Sequence, residues 1–193
     1  MVLQLDVISL TLLATAALLL IVLIWLIRRR RAADIEQRLA RISTDLISNV
    51  LIPDGEGGEI HLEHVLLLPG EMLLLDVRDL AGTVFGSDSM QDWTVIDGSR
   101  RFTFSNPQHA LYDRVAALRR LLPDVPVRGV IAFTARANIA KGTPSDVVAL
   151  DVLIAELGST TKSSAGPAAL LREGWEKLRN EAVVAQVARL MEE

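Results

Sequence analysis

Glu59–Arg78, EIHLEHVLLLPGEMLLLDVR, holds two dense apolar runs on either side of Pro69-Gly70. Short apolar runs separated by turn-forming residues predict the two strands of a hairpin, Ile60–Leu68 and Met72–Arg78. With Pro69 and Gly70 as the loop, Leu68 faces Glu71 and paired positions sum to 139. Glu63 then falls opposite Asp76, and His61 opposite Arg78. Successive side chains alternate faces, so one face carries His61, Glu63, Val65 and Leu67 against Met72, Leu74, Asp76 and Arg78. The other face is almost wholly apolar, and His64 within it reads as a core histidine satisfied by hydrogen bonding. The hairpin is thus a core element with one polar end, where two acids, an arginine and a histidine gather.

Two carboxylates with β-carbons ~5 Å apart repel each other unless a cation intervenes. Arg78 is one such cation, and the cluster is then a structural ion pair. A magnesium ion is the other, held by one or two carboxylates with waters in its remaining positions. Beside a phosphodiester, such an ion polarises a phosphoryl oxygen and generates hydroxide. The residues by themselves leave both solutions open.

Upstream, Ile35, Leu39, Ile42, Leu46 and Val50 form one apolar stripe that predicts a helix over Ala32–Val50, broken by Pro53–Gly58. Downstream, Trp93–Ile96 and Arg101–Phe104 predict a second hairpin turning at Asp97-Gly98. Ser105-Asn106-Pro107 opens a helix to about Leu122, with Leu111, Val115, Leu118 and Leu122 on its buried face. A buried strand follows at Val127–Thr134, then a helix from Thr143-Pro144 to about Leu157. Residues 158–167 (GSTTKSSAGP) predict a flexible linker, and residues 168–193 a terminal amphipathic helix. Helix, strands, helix, strand, helix gives an α/β sandwich around a mixed sheet. Trp93 and Phe102 are expected in its core, and Gly82 and Gly86 in turns.

Val7 to Ile27 is 21 residues without charge, Gly or Pro, enough for a single transmembrane helix. Trp25 stands near its end, and Arg28–Arg31 follow, with only Asp6 on the other flank. The positive-inside rule places the N-terminus outside and the rest in the cytoplasm, anchored to the inner membrane. A cleaved signal peptide needs the opposite charge order. The chain therefore reads as an anchor (1–31), a domain (32–157), the linker and the last helix. Zero cysteines exclude disulfides, thiolate metal sites and cysteine nucleophiles. A formal charge of −4 confines nucleic-acid binding to local basic patches, and 4% aromatics argue against a base-stacking platform. The basic candidates are Arg100, Arg101 and Arg114, with Arg119 and Arg120 also open to reading as a solvated helix face.

Glu59–Phe133 resembles the NERD (nuclease-related) domain. The pieces that carry the likeness are HLEHVLLLPGEMLLLDVRDLAGTVFGS, DWTVIDG, RRFTFSNP and VRGVIAF, in that order. The resemblance implies a restriction-endonuclease-like core of the PD-(D/E)xK type: a mixed β-sheet flanked by helices, with acids and a lysine around a magnesium ion. Carried over by position, Glu36 matches the helix glutamate, Glu63 the first strand acid, and Asp76 and Arg78 the acid-x-lysine pair. Glu63 and Asp76 would be the metal ligands. The family's glutamine after Asn106-Pro107 is displaced, with Ala110 in its place and Gln108 nearby. Arg78 is the weightier departure, since arginine stays protonated and cannot serve as a base.

Two functions follow. One is a membrane-anchored, magnesium-dependent nuclease or nucleic-acid-binding module working on DNA or RNA. The other is a non-catalytic tethered scaffold whose C-terminal helix, around Trp175, docks a protein partner.

Overall fold

The computed structural model describes residues 7–140, 142–163 and 166–192. The chain divides into two compact units, Met1–Arg38 and Leu39–Glu193. The first is built on α1 (Val7–Ala40). Among the described residues, Leu12–Ala40 is one helix long and apolar enough to cross a membrane. Leu12, Leu18, Leu19 and Ile21 all face outward on it, and the Arg29 guanidinium lies 5.2 Å from the Trp25 ring centre. Asp6, the expected outer flank, lies outside the described residues.

The stripe helix ends at Ala40, not at Val50, and Asp45–Pro53 is strand β1. The reason lies in the arithmetic of periodicity. Leu46 and Val50 are four apart, which fits a helix turn but is also a multiple of the strand period. Hydrogen bonding to β2 (Glu59–Leu67) decides the matter, with Asp45 paired to Leu67 and Pro53 to Glu59.

The first hairpin folds in the expected register. β3 (Met72–Arg78) pairs with β2 at Leu67↔Met72, Leu66↔Leu73, Val65↔Leu74 and His64↔Leu75, and the Leu68 N–H donates to the Glu71 carbonyl at 3.0 Å. β4 (Gly82–Phe85), β5 (Asp92–Asp97) and β6 (Arg100–Ser105) follow. The second hairpin turns one residue later than expected. Asp97 pairs with Arg100, so the loop is Gly98-Ser99, with Gly98 alone at positive φ (+61°). A glycine at the first loop position is the type II′ solution.

α2 (Pro107–Leu121) starts as expected, with the Asn106 side chain accepting from the Gln108 N–H at 2.9 Å. β7 (Val127–Phe133) then runs parallel to β3. β8 (Ala137–Ile139) and β9 (Val147–Ala149) come next, and helix α3 (Leu150–Ser163) begins only after β9. The helix expected from Pro144 is therefore shorter at its start, because Val147–Ala149 finds a ladder partner in Ile131–Phe133. At its other end α3 carries on through Gly158 to Ser163, where a linker was expected; residues 164–165 lie outside the described set.

The α/β class stands, but the strands divide between two mixed sheets. One has the order β1-β2-β3-β7-β9 and the other β6-β5-β4-β8. The sequence reading placed them in a single sheet. Trp93 of the smaller sheet stacks against Phe133 of the larger, ring centres 6.3 Å apart, and meets Phe104 edge-on at 6.1 Å. Gly86 leaves the room that the Trp93 ring fills. Phe102, expected in the core, is instead 43% exposed in the middle of the edge strand.

α2 lies on one face of the larger sheet. Gly129 of β7 is its contact point, since a Cβ there would sit 2.5 Å from the Val115 side chain. α4 (Ala169–Glu192) shares that core through Leu171, Trp175, Leu178 and Ala182. The terminal helix is thus part of the domain. The Trp175 indole N–H donates to Asp45 Oδ2 at 2.9 Å, and Arg179 donates to the same oxygen at 2.7 Å. Removing that indole should cost about 3–5 kcal/mol of stability. Thermal and denaturant unfolding of Trp175→Ala, in the full chain, checks this; an unchanged melt would mean that the helix is not integral.

Candidate functional site

The polar end of the hairpin forms where the strands part. Pairing of β2 with β3 closes at His64↔Leu75, whereas β3 continues beside β7 as far as Arg78↔Phe133. The β1–β2 ladder also skips Asn49, which adopts φ +55°. Glu63 bridges the opening with its side chain, and its Oε2 accepts the Val77 N–H at 3.0 Å. Asp76 sits in the fork, only 1% exposed.

Asp76 is neutralised by arginine. Arg114 of α2 donates to Asp76 Oδ2 at 2.5 Å and, through Nε, to the His61 carbonyl at 2.8 Å. Arg78 lies 3.6 Å from the same carboxylate oxygen. Taking a carboxylate out of water costs several kcal/mol, so a paired guanidinium is the condition for Asp76 to be buried at all. Asp76 Oδ1 and Arg78 Nε are buried without a hydrogen-bond partner among the described residues.

Burial is the main cause that pushes the Glu63 carboxyl above its ordinary range, with Asp76 adding to it; the Val77 N–H and the charges of Arg78 and Arg114 oppose. Glu63 Oε1 stands 3.8 Å from His64 Nε2. His64 is the hydrogen-bonded core histidine expected, its Nδ1 2.9 Å from the Ser48 hydroxyl. His61 contributes its carbonyl to the cluster, not its ring.

The other candidates belong to other elements, and several are engaged. Glu36 is on α1, in the first unit. Arg100 and Arg101 are exposed on β6, and Arg100 donates to Asp97 at 3.0 Å. Arg119 caps the Val127 carbonyl at 2.7 Å, and Arg120 lies 3.8 Å from Glu56.

Sequence reasoning missed Arg114 as the partner of Asp76. The signal was present: Arg114 falls three residues after Leu111 and four before Leu118, inside the apolar stripe of α2. A cation at such a position needs a buried anion.

A second polar cluster was also missed. Gln108, 2% exposed, donates to Asp88 Oδ1 at 2.8 Å and to the Ser145 carbonyl at 2.7 Å. Asp88 also accepts from the Ser145 N–H and hydroxyl, at 2.8 and 2.7 Å. The Gln108 amide, then Ser145, hold the Asp88 carboxyl below its usual range.

Fold and cluster together define a mixed α/β domain with a buried acid and its cations at a strand fork. Residues 27–134, over half of the chain, match the Nuclease-related domain family, NERD, and the chain belongs to that family. No curated protein and no solved structure gives a match. The family relation points to nuclease-like or nucleic-acid-related work, for which such domains typically use a metal.

The residues present do not fit a resident divalent ion. Among the described residues no three His, Asp or Glu side chains come together as a metal-binding group. The better-placed oxygen of Asp76 already lies between two guanidiniums, so an incoming ion meets two fixed positive charges. Two acids and two arginines already balance.

Removing Arg114 strands a buried charge. Arg114→Met should lose about 3–5 kcal/mol in denaturant unfolding, and Asp76→Leu in the same chain should restore most of it. An undiminished Arg114→Met protein would show that Asp76 does not depend on the pair.

Glu63 gives a pH test. Its raised pKa means the fold prefers the neutral carboxyl, so its contribution is present in acid and lost as pH rises through the folded-state value, above 4.5. Glu63→Gln should therefore match or exceed the native melting temperature at neutral pH, and lose that advantage in acid. A variant less stable at neutral pH would reverse the sign.

Proposed function

We propose that this chain is a membrane-anchored NERD domain, facing the cytoplasm, that binds nucleic-acid backbone without a resident divalent ion. The observation that carries the reading is the Asp76 carboxylate held by Arg114 and flanked by Arg78. The cluster is balanced by its own side chains.

Arg78 is the phosphate-facing group in this reading. Its side chain is 35% exposed, and a planar guanidinium matches phosphate oxygens two at a time. It supplies charge and hydrogen bonds but cannot take a proton from water. Arg100 and Arg101 add contacts that are indifferent to sequence and weakened by salt. Arg114, a candidate for the same role, is committed to Asp76. The four arginines after the apolar segment support both the inward orientation and attraction to anionic lipid.

Magnesium-dependent hydrolysis through Glu63 and Asp76 is the reading this one displaces, since it requires Arg114 to release its carboxylate. The full chain in lipid nanodiscs separates them, with fluorescent single- and double-stranded DNA and RNA as probes. Binding is expected to persist in EDTA, without strand cleavage in magnesium or manganese. Arg78→Ala should weaken binding and lower the salt slope by about one unit. Cleavage that requires magnesium and disappears in Asp76→Ala overturns the proposal; retention that ignores salt and Arg78 also sinks it.

A further inference from the structure

The smaller sheet ends in an edge strand whose outer side pairs with no other described strand. β6 runs Arg100–Ser105, RRFTFS, and pairs on one side only, with β5. Edges are commonly blunted by proline, a bulge, shortness or a covering element. β8 and β9 are three residues long, and β1 ends at Pro53 with the Trp175 helix against it. β6 has none of these protections, and the charges that also blunt an edge are confined to Arg100 and Arg101 at its start. Five of its six residues are exposed, Phe102 among them at 43%.

The hairpin geometry tells which backbone groups point outward. A two-residue loop makes its flanking residues a hydrogen-bonded pair, so Arg100, Phe102 and Phe104 bond inward to β5. Arg101, Thr103 and Ser105 therefore aim their N–H and C=O groups away from the sheet. Their side chains share the open face with Asp92, Thr94 and Ile96, while Phe102 and Phe104 lie on the Val95–Trp93 side.

We infer that β6 is a pairing edge for a second copy of this chain, joining two small sheets through antiparallel β6 strands. An antiparallel partner must meet outward residues with outward residues, and the register centred on Thr103 does so. It sets Thr103 against Thr103 on the two-fold axis, Phe102 against Phe104, and Arg101 against Ser105. Two of the three kinds of pair are favourable, threonine with threonine and aromatic with aromatic, and in the third no arginine faces an arginine.

Charge complementarity also favours a second copy over another strand. Ser105 stands beside Asp92 within each sheet, on the face that Arg101 shares. The Arg101 side chain of each copy is thereby directed at the Asp92 of the other. Asp92 is exposed. The inference is independent of the nucleic-acid reading except that both draw on Arg101, so the test rests first on Thr103.

The chain has no cysteine, which makes cross-linking clean. Thr103→Cys in the full-length protein, in detergent and in nanodiscs, should form a covalent dimer under mild oxidation. Hydrogen-bonded pairs sit ~5.5 Å apart at Cα, inside the ~4.4–6.8 Å that a disulfide spans. Thr94→Cys, one strand inward in each copy and so roughly 15 Å apart, should not cross-link. Thr103→Pro removes only an outward N–H in each copy, and should lower dimer affinity roughly tenfold or more by sedimentation. Should that proline disturb folding, Arg101→Glu replaces it: dimer lost, then regained with Asp92→Arg in the same chain.

Single copies at every concentration, or equal cross-linking at Thr94→Cys and Thr103→Cys, overturn the inference. So does a monomeric chain whose β6 instead captures an added extended acidic peptide. Dimer loss in Thr103→Pro with nucleic-acid retention intact supports the pairing edge and leaves the proposed function standing.

Discussion

A carboxylate buried in a strand fork requires a cation that cannot leave, and Asp76 obtains one from another element. Arg114 reaches it from α2 and clasps the His61 carbonyl of β2 with the same guanidinium. One side chain thereby ties helix, central strand and the departing strand together. The helix in turn is held at its height by Gly129, where any Cβ would collide with Val115. The pair and the close approach fix α2 along two directions, and the polar end of the hairpin is therefore built into the core.

That arrangement favours the ion pair in the choice which the residues alone left open. An acid pair facing one arginine suits either an ion pair or a metal. A second arginine moves the balance, because the fork then holds as much positive as negative charge. Arginine in the lysine position of the family pattern points the same way, since it brings a permanent charge and no base. The nuclease-related ancestry and the arginine-filled fork are compatible if backbone phosphate is held and not cut.

The parts legible in the sequence were those where two signals agreed. The Pro69-Gly70 hairpin combined turn chemistry with apolar runs, and its expected register holds from Leu67↔Met72 to His64↔Leu75, beyond which the strands part before the expected Glu63–Asp76 and His61–Arg78 pairs. Asn106-Pro107 combined a cap with a first-turn proline. The misreadings fell where one spacing served two structures, as with Leu46 and Val50, or where tertiary pairing drew a short segment into a ladder, as with Val147–Ala149. Arg114 was hidden for a different reason. Its partner lies 38 residues away, and only the stacking of α2 on the sheet reveals what the cation is for. Trp175 misled in a related way, since an amphipathic helix near a chain end looks the same whether its apolar face meets a partner or its own domain.

The Gln108 clasp has a consequence for motion. Its side-chain amide holds Asp88 and Ser145, which lie in two separate loops, against the first turn of α2. The Ser145 backbone N–H is spent on Asp88, on an exposed stretch of chain. Its exchange with solvent deuterium is then governed by opening of the clasp, not by surface exposure. Two loops without regular secondary structure would breathe together, with a single glutamine as their common hinge pin.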